Sequence, residues 1–448
     1  MKNFKQLTKI IFKRNYFWII MFFLGALLLQ NFTIKDRIHY LSDILIENAA
    51  KVMYFYDNDP IKKENKNEAE IRVTGDRESG PEDWSLYEKL QVEIQKYKEE
   101  AFEKYKKEPL PEDFLVTLNG KFQAVLNKYK ITEEDFNNYS EDGEVPWEVY
   151  SILSDYYGYS RREINQSEKY KGIKFDISKQ IFMPDFAIYS FVIFIAFLLT
   201  SFEHLTSFYD FTRMYPWSKE KSFTTKLIIG LLMVLTLYTL SILLRVGVAK
   251  TSILKNLVGY DFKNILEVLI LFGVYFIAMG TGAVSGNFLG HIGMMIIAMM
   301  GLNLYELNIS TIENIFFDYS NFSIFGKINN MPAQILFNPI DAFIGRFETY
   351  YDFSARLMVF VLGIIFVFLG IYWTKTAKAE RSGMLILKNR VSNYAKFFAI
   401  LTTTNVIAII IQELIIQNAG FIMIPFYILI LFMVYKFYDM LFKIKIKI

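Results

Sequence analysis

Long apolar runs recur along the chain near 184–203, 226–246, 265–283, 291–306, 356–374, 395–415 and 421–440. A helix of about twenty such residues crosses a hydrocarbon core roughly 30 Å thick. The runs are continuous rather than alternating, which excludes a barrel, and lipid offers no partner to unpaired backbone groups, so helices are their form. One more run, Tyr16–Phe32, is apolar apart from Gln30 and Asn31 and follows a segment holding Lys2, Lys5, Lys9, Lys13 and Arg14. Gln30-Asn31-Phe32-Thr33-Ile34-Lys35 offers no small-x-small cleavage site, so the pattern predicts an uncleaved first span rather than a removed signal peptide.

Between the first span and the rest, from 34 to 182, the chain is charged, aromatic and interrupted by Pro and Gly. Here the apolar spacing changes. Tyr87, Leu90, Ile94, Tyr97, Ala101 and Tyr105 recur every three or four residues and predict an amphipathic helix ending before Pro109. Phe114, Leu118, Phe122, Val125 and Tyr129 predict a second. Thr132 with Asp135 starts a third, Pro146 to Tyr156 forms a fourth, and 57–82 reads as loop. The charge run Lys96 to Lys107 reads as a solvated helix face.

The fold class expected is therefore an all-α polytopic membrane protein with about eight transmembrane helices and a mainly helical extracytoplasmic domain between the first and second. Its domains are 1–33 (N-terminus and first span), 34–182 (outer domain) and 183–448, a bundle of seven spans with inner loops 205–225 and 375–394. Basic residues orient it. Arg213, Lys219 and Lys221 lie in one connection, Lys375, Lys378, Arg381, Lys388 and Arg390 in another, and Lys443, Lys445 and Lys447 in the tail, all on the side of the basic N-terminus. The 307–355 connection holds only Lys327 and Arg346. Both termini are thus expected in the cytoplasm, in a multi-pass protein of the cell membrane.

Composition narrows the chemistry. The chain is 53% hydrophobic with 29 Tyr and 43 Phe, many of them suited to interfacial belts. A formal charge of +3 points to no nucleic acid partner. There are no cysteines, so disulfides and thiolate sites are excluded. His39, His204 and His291 are too scattered to suggest a ligand set, and no metal or cofactor is expected. No Gly-x-x-x-x-Gly-Lys-Ser/Thr, Gly-x-Ser-x-Gly or His-Glu-x-x-His stretch occurs, so the chain is expected to be neither an ATPase nor another enzyme. Ser285 reads as a small packing residue.

Gly282, Gly286 and Gly290 repeat every four residues around the junction of two spans. Such spacing suits close helix packing or a tight turn, and a broken helix lining a pathway is the sharper alternative. Arg245 and Glu267 fall near the outer ends of consecutive spans. They either snorkel to the interface or pair across an outward cavity. Glu203 and His204 end the second span, and Glu413 lies near the outer end of the seventh.

The connection 205–225 carries the most specific signal. Leu205, Phe208, Phe211 or Thr212, and Tyr215 keep a helical spacing that Pro216 ends, and Ser218 is placed to cap the next helix with Glu220 in its first turn. The run Tyr209-Asp-Phe-Thr-Arg-Met-Tyr-Pro-Trp-Ser-Lys-Glu-Lys-Ser-Phe-Thr-Thr-Lys226 resembles the inner loop of ABC-2 type permeases, a charged helix before Leu-Pro-apolar-Ser-basic with a Lys opening the next span. Pro216, Trp217, Ser218, Lys219 and Lys226 match, and Tyr215 stands where the pattern has Leu. The segment Lys375 to Gly383 is similar to a basic, Glu-containing segment of one bacterial permease subgroup.

The resemblance implies a membrane-spanning permease subunit, an exporter driven by a separate ABC ATPase subunit, working beside a second permease subunit in a homo- or heterodimer. It implies that Arg213, Tyr215, Pro216, Trp217, Ser218 and Lys219 form the ATPase-coupling loop. Peptide, lipid, drug and ion all stay open as cargo. The rival expectation is a membrane receptor or assembly protein whose outer domain binds an envelope partner.

Overall fold

The computed structural model describes residues 2–58, 83–131, 152–153, 181, 186–205, 217–259, 262–316, 339–342, 353–377, 381–414 and 423–446. Among the described residues helix dominates, no strand occurs, and one isolated antiparallel bridge joins Ser285 and Ile386. The helices are α1 (Lys2–Asp57), α2 (Asp83–Lys107), α3 (Phe114–Tyr129), α4 (Phe186–Leu199), α5 (Ser201–Leu205), α6 (Lys219–Lys250), α7 (Val268–Val284), α8 (Phe288–Phe316), α9 (Phe353–Thr376), α10 (Asn389–Leu414) and α11 (Met423–Leu441). Among the described residues seven segments are long and apolar enough to cross a membrane, and bent α8 makes an eighth if its halves count as one span. The chain is a multi-pass helical membrane protein.

Two compact units form: Met1–Leu27, Pro184–Leu240 and Ile265–Ile448 make one, while Leu28–Met183 and Ser241–Asn264 make the other. The second unit takes more chain than the expected 34–182 domain. Thr33–Asp57 holds neither Gly nor Pro, so nothing stops α1 at the end of its apolar run. Instead Ile34, Ile38, Leu41, Leu45, Ala49, Val52 and Phe55 continue it at helical spacing. They are buried in one core with Leu90 and Ile94 of α2, Leu118, Phe122 and Val125 of α3, and Leu254 and Leu257.

Helices α2 and α3 follow the expected periodicity. Pro109 lies beyond the end of α2, and a left-handed Lys130 (φ 54°) closes α3. Lys98 is not simply solvated, because its ammonium reaches Glu47 of α1 at 2.7 Å. The loop expected over 57–82 is described only at Asp57, which ends α1, and at Asn58. The helices expected from Thr132 and over Pro146–Tyr156 lie outside the described residues except for buried Ile152 and Leu153.

In the membrane unit α7 is the buried centre, with nearly every residue from Ile270 to Val284 covered. It runs beside α9 at a distance only glycine allows. A Cβ on Gly273 would stand 2.6 Å from the Val359 carbonyl, one on Gly363 2.8 Å from the Gly273 carbonyl, and one on Gly280 against the Phe366 carbonyl. Gly273 and Gly280 on α7, like Gly363 and Gly370 on α9, lie seven residues apart, which places them on one face over two turns. Exposed Phe368, Phe397, Phe432 and Tyr394 lie on α9, α10 and α11, as lipid-facing positions would.

The expected span 291–306 is bent. Met300 leaves the helical region (φ −127°, ψ 21°) next to Gly301, and the axes on either side turn by 79°. Phe288–Gly301 alone reaches about 21 Å at 1.5 Å per residue, short of a hydrocarbon core of roughly 30 Å. Of the expected 307–355 connection, residues through Phe316 continue the helix and Pro339–Ala342 forms a 3-10 turn. Beyond the bend, Asn308 and Asn405 knot α8 to α10: the Asn405 amide donates to Asn308 Oδ1 at 2.8 Å, and the Tyr427 hydroxyl of α11 donates to Asn405 Oδ1 at 2.7 Å. Buried polar side chains act as interhelical links in lipid because leaving them unpaired is worse.

Candidate functional site at the basic end of the membrane unit

The described parts of the expected inner connections meet, Lys219 with Ala377 and His204 with Ser382. The core of the site is the junction between α7 and α8, where the chain turns through Ser285, Gly286 and Asn287. Asn287 caps α8: its Oδ1 accepts the Gly290 N–H at 2.8 Å while its Nδ2 donates to the Gly383 carbonyl at 2.9 Å. The segment 381–387, a run of turns and bends with one bridge at Ile386, lies across this turn. Gly286 N–H donates to Leu385 O (3.1 Å), Leu387 N–H to Val284 O (2.8 Å) and Gly383 N–H to Gly286 O (2.9 Å). From the tail, Ile446 N–H donates to Gly383 O at 2.8 Å.

Gly286 and Gly290 thus serve a turn and its docked segment, whereas Gly282 allows close approach of Thr200, between α4 and α5, and of His291. A Cβ on Gly290 would collide with the Leu385 carbonyl, one on Gly286 with the Met384 carbonyl, and one on Gly282 with Thr200 Oγ1. Gly383 needs its freedom directly, with φ at 87°. Ser285 is buried, and its hydroxyl donates to Thr281 O at 2.8 Å.

The end of α5 and the start of α6 complete the site. Ser218 caps α6 as expected, its Oγ accepting the Lys221 N–H at 3.3 Å, with Glu220 in the first turn. Lys219 donates to the Ala377 carbonyl at 2.9 Å, and His204 Nδ1 meets Ser382 Oγ at 3.3 Å. Glu203, 1% exposed, is held by two cations, Arg14 of α1 at 3.0 Å and Lys226 of α6. Trp217 is half-buried. Leu205 ends α5, while Arg213, Tyr215 and Pro216, with the helix expected through Phe208 and Phe211, lie outside the described residues.

Behind this end, His291 is fully buried. A carbonyl only accepts, so its Nε2–H donates to Ala278 O at 2.7 Å, leaving Nδ1 to the Ser201 hydroxyl at 3.0 Å in the neutral ring. His291 therefore clamps α8 to α7 and α5. On the docked segment Arg381 bonds Asn389 and rests on Met384, and burial lowers its guanidinium pKa from the usual value.

Arg245 and Glu267 do not snorkel, being 1% and 0% exposed. Arg245 donates to Ser241 Oγ (3.1 Å) and Ile181 O (2.7 Å) within the second unit, whereas Glu267 lies 3.8 Å from Arg356 in the membrane unit. The partner of Glu267 is thus found on α9, and the sequence signal for it is the arginine that opens the apolar run 356–374. Glu413, by contrast, is exposed. No protein family, curated protein or solved structure matches the chain. What the fold defines is the class, a helical multi-pass membrane protein.

Proposed function

We propose that the chain is the membrane-spanning permease subunit of an ABC transporter, an exporter that works with a separate ATPase subunit and a second permease subunit in the cell membrane. The observation that carries the reading is the run Tyr209–Lys226, which resembles the ABC-2 type inner loop. The geometry beside it supports the reading. Where that loop rejoins α6, Lys219 bonds Ala377 and Lys375 lies 3.5 Å from Glu220, so a push there reaches both α6 and α9. On the same reading both termini are cytoplasmic and the 34–182 domain is outside. Coupling then works as rigid-body transmission from the loop into the packed α6, α7 and α9.

The test is copurification with an ABC ATPase subunit, sought first in the neighbouring reading frames. Arg213→Glu and Trp217→Ala are each expected to lose most of the complex, since interface Arg and Trp hot spots are worth about 2 kcal/mol or more. Intact complex and transport in both variants would defeat the docking role.

Orientation has its own measurement, made clean by the lack of native cysteine. A cysteine at Val116, 66% exposed on α3, should react with an impermeant maleimide in whole cells, and one at exposed Ser218 only after permeabilisation. Ser382 is unsuitable, being 2% exposed and bonded to His204. The reverse pattern would invert the topology and remove the coupling loop.

A further inference from the structure

A cavity of about 440 Å³ opens at the basic end of the membrane unit, lined by Lys219, Lys226, His204, Thr200, Ser222 and Trp217 among others. Among the described residues no carboxylate lines it. The acid behind its wall, Glu203, is buried and already shared between two cations, Arg14 and Lys226, and Lys219 adds a further ammonium at the rim. Positive charge gathered beside a low-dielectric bundle favours a counter-anion. The lining supplies what a phosphate group takes up, namely ammonium groups and hydroxyl donors, with an indole and the Phe223 ring as an apolar wall. Its volume falls in the ordinary range for a ligand pocket.

We propose that this cavity binds a phosphate-bearing anion, either the headgroup of an anionic phospholipid or a soluble phosphate. Neither source depends on the ATPase, so the site is open to test on the purified full chain alone. Two arms separate the sources. Retained lipid is measured by native mass spectrometry after exchange into detergent with phosphatidylglycerol or phosphatidylcholine, and thermal unfolding is followed with added inorganic phosphate.

Lys219→Gln removes one charge at a half-exposed helix start, and Ser222→Asp places an anion at the cavity wall; both leave the Glu203 cluster intact. A lysine near an anionic headgroup contributes about fivefold in affinity, so phosphatidylglycerol retention should fall by about that factor in Lys219→Gln and further in Ser222→Asp, with phosphatidylcholine unchanged. That result assigns a lipid headgroup. Protection by inorganic phosphate, lost in both variants, without discrimination between the lipids, assigns a soluble anion. Binding of neither, or binding unchanged in both folded variants, overturns the proposal.

Discussion

Glu203→Gln is expected to be the most destabilising single change at the basic end. The carboxylate is 1% exposed, forms an ion pair with Arg14 at 3.0 Å and accepts from Lys226, so its removal leaves two cations facing each other without their shared counter-charge. Breaking a buried ion pair from one side costs about 3–5 kcal/mol, because the uncompensated charge stays behind. The loss is measured by thermal unfolding of the detergent-solubilised protein. The double variant Glu203→Gln/Lys226→Gln should recover a large part of it, since Arg14 is 19% exposed and its long side chain can reach water once alone. Additive losses in the double variant would show that the three groups do not form one unit.

That cluster illustrates what a sequence can and cannot display. The apolar runs place α4, α7, α9 and α11 to within a few residues, because length and continuity are properties of one segment, while α6 and α10 begin about two turns before their runs in polar residues. The periodicity of Leu90 to Tyr105 and of Phe114 to Tyr129 places α2 and α3 for the same reason, and the cap at Ser218 needs only its own next turn. The second half of α1 is hidden because Lys35, Asp36, Arg37 and His39 end the apolar run while Ile34, Ile38 and Leu41 keep the helical line beneath them. The bend at Met300 is hidden too, since nothing in the apolar pattern marks a change of axis.

The candidate site is legible only as ingredients. The glycines at 282, 286 and 290 are visible as a repeat, yet the partner of Gly286 and Gly290, the 381–387 segment, lies far along the chain and carries no matching pattern. The same holds for Glu267 with Arg356, Lys219 with the Ala377 carbonyl, and Glu203 with Arg14. Each is a pairing between distant segments that packing selects, whereas the seven-residue spacing of Gly273 with Gly280 and of Gly363 with Gly370 is present in the chain as a face of close approach.

Gly290→Val and Gly293→Ala, three residues apart on α8, should have opposite effects. A Cβ at Gly290 would run into the Leu385 carbonyl, which cannot swing aside without giving up the hydrogen bond it accepts from the Gly286 N–H at 3.1 Å. The turn and the docked segment would have to part, and overpacking of this kind costs about 1–3 kcal/mol, here at the upper end because backbone rather than a flexible side chain must move. Gly293 has open space around it, so Ala there should stabilise by up to about 1 kcal/mol through its better helix propensity. Thermal unfolding of the two purified variants measures both signs. Because Gly383 bonds the same turn, Gly290→Val should also release Ser382 from His204, and a cysteine at Ser382, protected in the parent, should become reactive toward maleimide in the solubilised protein. Equal stability of the two variants, with the Ser382 cysteine still protected, would mean that the 381–387 segment is not seated on the α7–α8 turn.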